Sequence, residues 1–176
     1  LLFLSKNSPN IKSFVYASSG SVYGDSKILP KIEKNTGKIL SNYGLTKKVN
    51  EEYAEVFFKL YNFKSIGLRY FNVFGKYQNP NGDYAAVIPK WINDSISNKK
   101  IFINGDGKTT RDFTPVASVV QANLLGALRK LPKKNYVFNV GTGSRISLNK
   151  LILTIYKILN IPKIKHKIIY REFRQG

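Results

Sequence analysis

The feature that most constrains this chain is an alternation: short, apolar, β-rich runs are followed by longer stretches in which apolar residues recur every three or four positions. Residues 12–18, Lys-Ser-Phe-Val-Tyr-Ala-Ser, form the first such run, as expected of a buried parallel strand. A loop bearing Gly, Ser and Pro follows to position 40. Ser41 stands where a helix N-cap belongs, and Val49, Tyr53, Val56, Phe57 and Leu60 mark the apolar face of a helix over 43–61. The pattern then predicts a strand at 65–71, a loop at 75–83, a helix over 84–97, a strand at 101–103 and a Gly-rich loop to Asp112. Pro115 suits a first helical turn, and that helix runs to Arg129. Residues 136–140 form a strand, Ser147 caps a helix ending at Leu159, and a basic segment closes the chain. Strands alternating with helices of these lengths predict a parallel α/β sheet.

Composition bounds the rest. A length of 176 residues, with 43% hydrophobic and 22% charged, fits one domain or a large piece of one, with a real core. Lacking Cys, the chain has no disulfides and no thiolate metal site. No apolar run approaches the ~20 residues of a membrane span, and the opening Leu1-Leu2-Phe3-Leu4 is no secretory signal, so a cytoplasmic location is expected. The chain contains no Met and starts in mid-pattern, with residues 1–6 reading as the tail of a helix, so a fragment is expected. Its net charge of +19 raises a nucleic-acid or membrane partner, but the basic residues fall as singles and pairs and 23 of 29 are Lys. Neither partner is expected.

Two glycine loops fail the spacing tests for phosphate binding. In Gly105-Asp106-Gly107-Lys108-Thr109 the first Gly of a P-loop would fall at Phe102, and in Gly141-Thr142-Gly143 the third Gly of a dinucleotide fingerprint would fall at Ile146. The single His166 reads as a surface residue of the basic tail. Tyr43 and Lys47, four apart, share one face of the helix begun at Ser41. With 11 Tyr and 23 Lys such a pair arises by chance, and a second stands at Tyr23 and Lys27. Its context distinguishes Tyr43: it lies 24 residues after the Ser-rich strand end Ser18-Ser19, and ligands of open α/β sheets bind at carboxyl ends of strands. A phenol ionises near ~10, and an ammonium and a cationic cofactor ring can bring it down into the range of a useful base. Ser19 would donate to the same substrate hydroxyl.

Read together, these segments resemble the extended short-chain dehydrogenase/reductase family, the NAD-dependent nucleotide-sugar epimerases and dehydratases. The resemblance is carried, in order over nearly the whole chain, by Phe14-Val15-Tyr16-Ala17-Ser18-Ser19 with Val22-Tyr23-Gly24, by Tyr43 to Lys47, and by Leu68-Arg69-Tyr70-Phe71-Asn72-Val73-Phe74-Gly75. It continues through Tyr84-Ala85-Ala86-Val87-Ile88-Pro89-Lys90, Asn104-Gly105-Asp106-Gly107, Arg111-Asp112-Phe113 and Phe138-Asn139-Val140-Gly141. It implies the carboxyl-side part of a Rossmann-like parallel sheet plus a smaller substrate-binding α/β region. Residues 1–75 would be the second half of the NAD-binding domain with its catalytic helix. Residues 76–176 would be mainly substrate-binding, with a strand and helix near 101–130 returning to the first domain.

The resemblance also implies roles. Tyr43 is the catalytic base, Lys47 holds the nicotinamide ribose and lowers the Tyr43 pKa, and Ser19 bonds the sugar 4-hydroxyl. NAD would meet Ala17, Tyr43, Lys47, Tyr70, Asn72 and Val73, and no metal is implied. A UDP-sugar would meet Ser19, Ser21, Asn72, the backbone of Ala86 and Val87, Phe102 over the uracil, and Arg111 and Arg174 on the diphosphate. The reaction implied is 4-epimerisation through a transient 4-keto sugar, nearest to the enzymes acting on UDP-N-acetylglucosamine, in a homodimer paired through the Tyr–Lys helix. Ser19-Gly20-Ser21 stands where 4,6-dehydratases carry Thr-Asp-Glu, which favours epimerase over dehydratase. The family's amino-terminal Gly-rich loop is absent from the sequence, so the pyrophosphate of NAD would lack its helix N-terminus and the chain alone is expected to be inactive. The rivals are another nucleotide-sugar enzyme on the same scaffold (a UDP-glucose 4-epimerase, a UDP-glucuronate epimerase or decarboxylase, a 4,6-dehydratase or a 4-reductase) and a basic binding protein that keeps the fold without the reaction.

Overall fold

The computed structural model of the chain describes residues 1–11, 13–82, 85–129 and 135–173. In chain order it has helix α1 (Leu2–Lys6), strand β1 (Val15–Ser19), helix α2 (Asn42–Tyr61), strands β2 (Ile66–Tyr70) and β3 (Asn72–Phe74), and helix α3 (Val87–Ile96). Strands β4 (Ile101–Asn104), β5 (Thr110–Arg111) and β6 (Phe113–Pro115) come next, then helix α4 (Val116–Leu128) and strand β7 (Tyr136–Val140). Strand β8 (Ile146–Ser147), helix α5 (Leu148–Ile158) and strand β9 (Ile168–Arg171) complete it. None of the described helices is long and apolar enough to cross a membrane.

The chain packs as two units, one of residues Leu1–Phe71 with Ala117–Gly141, the other of Asn72–Val116 with Thr142–Gly176. In the first, β1, β2 and β7 form a parallel sheet in that order, with Val15 opposite Ile66 and Ile66 opposite Tyr136. Parallel neighbours need crossovers, and α2 and α4 stand in the two connections. Ile66, Leu68 and Val140 make the core, covered by Val15, Val119, Ala122 and Tyr136. Gly126 lets α4 approach the sheet, since a Cβ there would meet Val15 at 3.3 Å, and its carbonyl accepts from Ser13 Oγ at 3.2 Å.

In the second unit β3 pairs with β6 and β4 with β9, both parallel, while β5 and β8 pair antiparallel. Its core is Trp91 from α3, Ile101 and Ile103 from β4, and Leu151, Ile152, Ile155 and Tyr156 from α5. The three- and four-residue spacing along α5 is that of a helix burying one stripe.

Several sequence expectations need adjustment. The strand at 101–104 stays in the second unit, because Ile101 and Ile103 point into the core with Trp91; α4 and β7 are what return to the first. Pro115 ends β6 opposite Phe74, and the helix begins one residue later. The helix expected from 84 begins at Val87, and Tyr84 lies outside the described residues. The closing basic segment contains β9. His166 is half-buried, its ring stacked on Tyr156 with centroids 4.0 Å apart.

Candidate active site

In the first unit, β1 delivers Ala17, Ser18 and Ser19 to its carboxyl end, where the chain tightens into a 3₁₀ turn over Gly20–Tyr23. Ser19 is extended (φ −153°, ψ 151°), and its Oγ accepts from Ser21 N at 3.1 Å. The hydroxyl proton of Ser19 is thereby left for another acceptor. Ser21 Oγ is buried without a hydrogen-bond partner among the described residues. Gly24 closes the turn at φ +51°, a conformation that glycine adopts without strain. The following loop is pinned where Lys38 N donates to Asp25 Oδ1 at 2.7 Å.

Helix α2 starts at a built cap: Ser41 Oγ accepts from Gly44 N at 3.1 Å. A Cβ on Gly44 would lie 3.1 Å from Ser21 O, so the glycine allows the first helical turn to press on the 3₁₀ turn. One residue before it, Tyr43 is 56% exposed. Lys47 Nζ sits 5.6 Å from the Tyr43 ring centroid and donates to Ala17 O at 3.1 Å. One of the three ammonium donors is thus spent on the strand end, leaving two for a ligand.

Behind this pair lies a buried network that the sequence reading missed. Ser18 Oγ donates to Glu51 Oε1 at 2.5 Å, and Arg69 donates through Nε to the same oxygen at 2.8 Å and through Nη2 to Oε2 at 2.7 Å. Arg69 Nη1 also reaches Glu33 O at 2.9 Å. Burial pushes the Glu51 carboxyl up, but the hydrogen bonds from Arg69 and Ser18 and the charges of Arg69 and Lys48 outweigh it, so the net shift is downward. Arg69 is raised: burial opposes its charge, and the bonds to Glu51 overcome that. Signals for this network exist in the sequence, an Arg inside an otherwise apolar strand and a Glu one helical turn beyond Lys47.

Tyr70, at the end of β2, has its hydroxyl tied to α4, accepting from Asn123 Nδ2 at 2.9 Å. Its backbone stands at the strand end.

In the second unit Asn72, Val73, Ala86, Val87, Phe102 and Arg111 share the wall of one cavity of about 380 Å³. Trp91, Phe113 and Leu148 help to line it. Ala86 is the N-cap of α3 and makes no side-chain cap, so the first N–H groups of a ten-residue helix are available in a wall that also holds Arg111. An uncapped N-terminus beside a guanidinium favours an anion. Phe102 offers an aromatic wall, and the Arg171 guanidinium lies 3.4 Å from its ring centroid. The Asp112 carboxylate holds the turn after β7, accepting from Thr142 N at 2.9 Å and Gly143 N at 2.9 Å. Arg174 lies outside the described residues. No group of three or more His, Asp or Glu among the described residues is placed to hold a metal.

A parallel sheet whose strand end carries a serine against a capped Tyr–Lys helix defines an α/β protein of the short-chain dehydrogenase/reductase type. Comparison with known proteins narrows this. The NAD dependent epimerase/dehydratase family model matches residues 1–141. A Methanocaldococcus jannaschii protein provisionally named a UDP-glucose 4-epimerase is 40% identical over 163 residues, 92% of this chain and 49% of that protein. The solved UDP-N-acetylglucosamine 4-epimerase of Methanobrevibacter ruminantium, in complex with UDP-N-acetylmuramic acid, is 35% identical with a TM-score of 0.91, over 100% of this chain and 55% of that one. The UDP-glucuronic acid 4-epimerase of Bacillus cereus, solved with UDP-glucuronic acid and NAD, gives 27% and 0.88 over 100% and 53%. The chain belongs to the NAD dependent epimerase/dehydratase family. It spans about half the length of the relatives it matches.

Proposed function

We propose that this chain carries the proton-transfer groups and the nucleotide-binding wall of an NAD-dependent UDP-hexose 4-epimerase, interconverting UDP-N-acetylglucosamine and UDP-N-acetylgalactosamine. The observation that carries the reading is Lys47, anchored on Ala17 O at 3.1 Å and 5.6 Å from the ring of Tyr43. The substrate assignment leans on the UDP-N-acetylglucosamine 4-epimerase likeness over the full chain. Epimerisation rather than dehydration is favoured by Gly20 and Ser21, which put no carboxylic acid beside Ser19.

The residues present fit NAD: Lys47 keeps two donors for a ribose diol, Ala17 and Tyr43 stand beside it, and Tyr70 ends the neighbouring strand opposite Ser19. Asn72 and Val73 enter as cofactor residues on the family resemblance alone. NAD, when bound, supplies reversible hydride removal at C4 of the sugar. Tyr43 would take the 4-hydroxyl proton as C4 is oxidised and would give it back as C4 is reduced. Lys47 sets its ammonium 5.6 Å from the ring of that phenol, and Ser19 holds the 4-oxygen with its free proton. Ser21 adds a second hydroxyl to the sugar side. Ala86, Val87 and Arg111 hold the diphosphate, joined by Arg174, and Phe102 covers the base.

The test is the complete gene product incubated with NAD and UDP-N-acetylglucosamine, with products separated chromatographically. Two sugars should interconvert without net NADH. Tyr43→Phe keeps the ring and removes the base, so kcat should fall at least ~100-fold with KM nearly unchanged; an undiminished kcat refutes the reading. The 176 residues by themselves should show little or no turnover, because their glycine loops do not meet the dinucleotide spacing. Homodimerisation through α2 is part of this proposal, supported by an exposed apolar stripe of Leu45, Val49, Tyr53, Val56 and Leu60. Sedimentation of Val56→Asp/Leu60→Asp should give monomer.

A further inference from the structure

Two consecutive residues of β1 grip two residues one turn apart on α2: Ala17 O accepts from Lys47 Nζ, and Ser18 Oγ donates to Glu51 Oε1 at 2.5 Å. The second grip is locked from behind by Arg69, whose fork meets both oxygens of Glu51 at 2.8 and 2.7 Å. We propose that Glu51, Arg69 and Ser18 are positioning residues that fix the axial place of the catalytic helix against the strand end, so that Lys47 and Tyr43 arrive at the reacting hydroxyl in register with Ser19. This rests on the roles assigned above to Tyr43, Lys47 and Ser19.

Three physical points carry it. First, the network is shut away from water, with Ser18, Glu51 and Arg69 exposed by only 1%, 5% and 3%. At that depth the desolvation of two charges largely offsets their attraction, so stability is a poor reason for a pair where apolar side chains would serve. Directionality is a better one: two parallel hydrogen bonds from a planar fork fix translation and rotation in a way that apolar packing does not. Second, the pair connects the elements that carry the reacting groups. Arg69 belongs to β2, Glu51 to the catalytic helix and Ser18 to the strand that presents Ser19. The third Arg69 nitrogen reaches Glu33 O in the loop that leads into α2, and the guanidinium lies 5.0 Å from the centre of the Tyr23 ring. Tyr23 in turn donates to Asn139 Oδ1 of β7 at 2.7 Å. Third, the geometry of catalysis is unforgiving: a displacement of about 1 Å can cost ~100-fold in rate. Four residues of helix separate Lys47 from Glu51, about 6 Å of axial rise, so a slip at Glu51 is passed almost undiminished to Lys47.

The discriminating variant is Glu51→Met/Arg69→Met in the complete gene product, which removes both charges and retains volume. A purely structural pair, once replaced by apolar side chains, returns both the melting temperature and the rate. A positioning pair returns the melting temperature only. The double variant should therefore melt near the wild type while kcat stays at least ~10-fold down and KM for the UDP-sugar moves less than about twofold. Ser18→Ala, which leaves the ion pair intact, should lower kcat a fewfold with the same unchanged KM, and it remains the test if the double variant folds poorly. Amide hydrogen exchange gives a readout independent of turnover: residues 45–50 of α2 should lose protection in both variants, while α5 should not. Recovery of kcat in the double variant, or unchanged exchange at 45–50, overturns the proposal. A wild type inert toward UDP-sugars would instead sink the epimerase reading, and the clamp would then be judged by the exchange result alone.

Discussion

Glu51 shows how one carboxyl couples the fold to pH. In the folded chain its titration lies below the ordinary carboxylate range, whereas in the unfolded chain it binds a proton near pH ~4.3. Between those values the unfolded state holds the extra proton, so stability rises with pH there. The contribution is complete above the unfolded value and is lost as pH falls through the depressed folded one. Urea unfolding over pH 3–7 should therefore show an acid-side loss of stability that Glu51→Gln shrinks; a variant with the full wild-type slope would assign that slope to other carboxyls. Gly67 makes a separate residue-scale case. It faces Tyr16 across the β1–β2 ladder, and a Cβ there would come within 2.5 Å of the Tyr16 hydroxyl. Gly67→Ala should cost about 1–3 kcal/mol by overpacking. The double variant with Tyr16→Val should cost less than the two separately, because the clash is then gone.

Helix α2 is the element on which most of the candidate site depends, and its start is set by a single hydroxyl. Ser41 is extended (φ −148°, ψ 153°) and accepts from Gly44 N, within the turn that bears Tyr43. Ser41→Ala should cost about 1 kcal/mol and fray that turn, while Ser41→Asp, another good cap, should hold it. Denaturation midpoints and kcat measured together check this, since fraying should lower both. This helix was legible because twenty residues repeat a period of three and four between a cap residue and Asn62, which ends it at φ +50°. The central strands were legible for a related reason, as buried parallel strands are short unbroken apolar runs. Strands β3, β5, β6 and β8 were not, because two or three residues carry no period to read. Strand β9 was hidden differently: its partner β4 lies far back in the chain, and beyond Ile168 its residues are exposed. At the candidate site, the placement of Tyr43 and Lys47 on one helix and of Ser19 at a strand end was legible because both are local features. The Glu51–Arg69–Ser18 network joins positions spread over β1, α2 and β2, and only the folded sheet brings them together.

At the scale of the whole molecule the +19 net charge, with 29 basic groups against 10 acidic, acts with opposite signs on folding and on ligand binding. Among the described residues the only ion pair with both partners buried is Arg69–Glu51; the others have at least one partially or fully exposed partner and contribute little. Most of the positive charge is therefore uncompensated and repels itself in the compact state. Added salt screens that repulsion over a Debye length that shrinks from about 30 Å at 0.01 M to about 8 Å at 0.15 M. Raising NaCl across that range should lift the melting temperature by at least ~2 °C. The same screening weakens attraction of a diphosphate to the cavity wall that holds Arg111 and the α3 N-terminus, so KM for a UDP-sugar should rise with salt. Thermal scans and initial rates on one salt series separate the two effects. If the melting temperature and KM both stayed flat, the surplus cations would be held by local partners, and the field of the molecule could not be credited with drawing in an anionic sugar nucleotide.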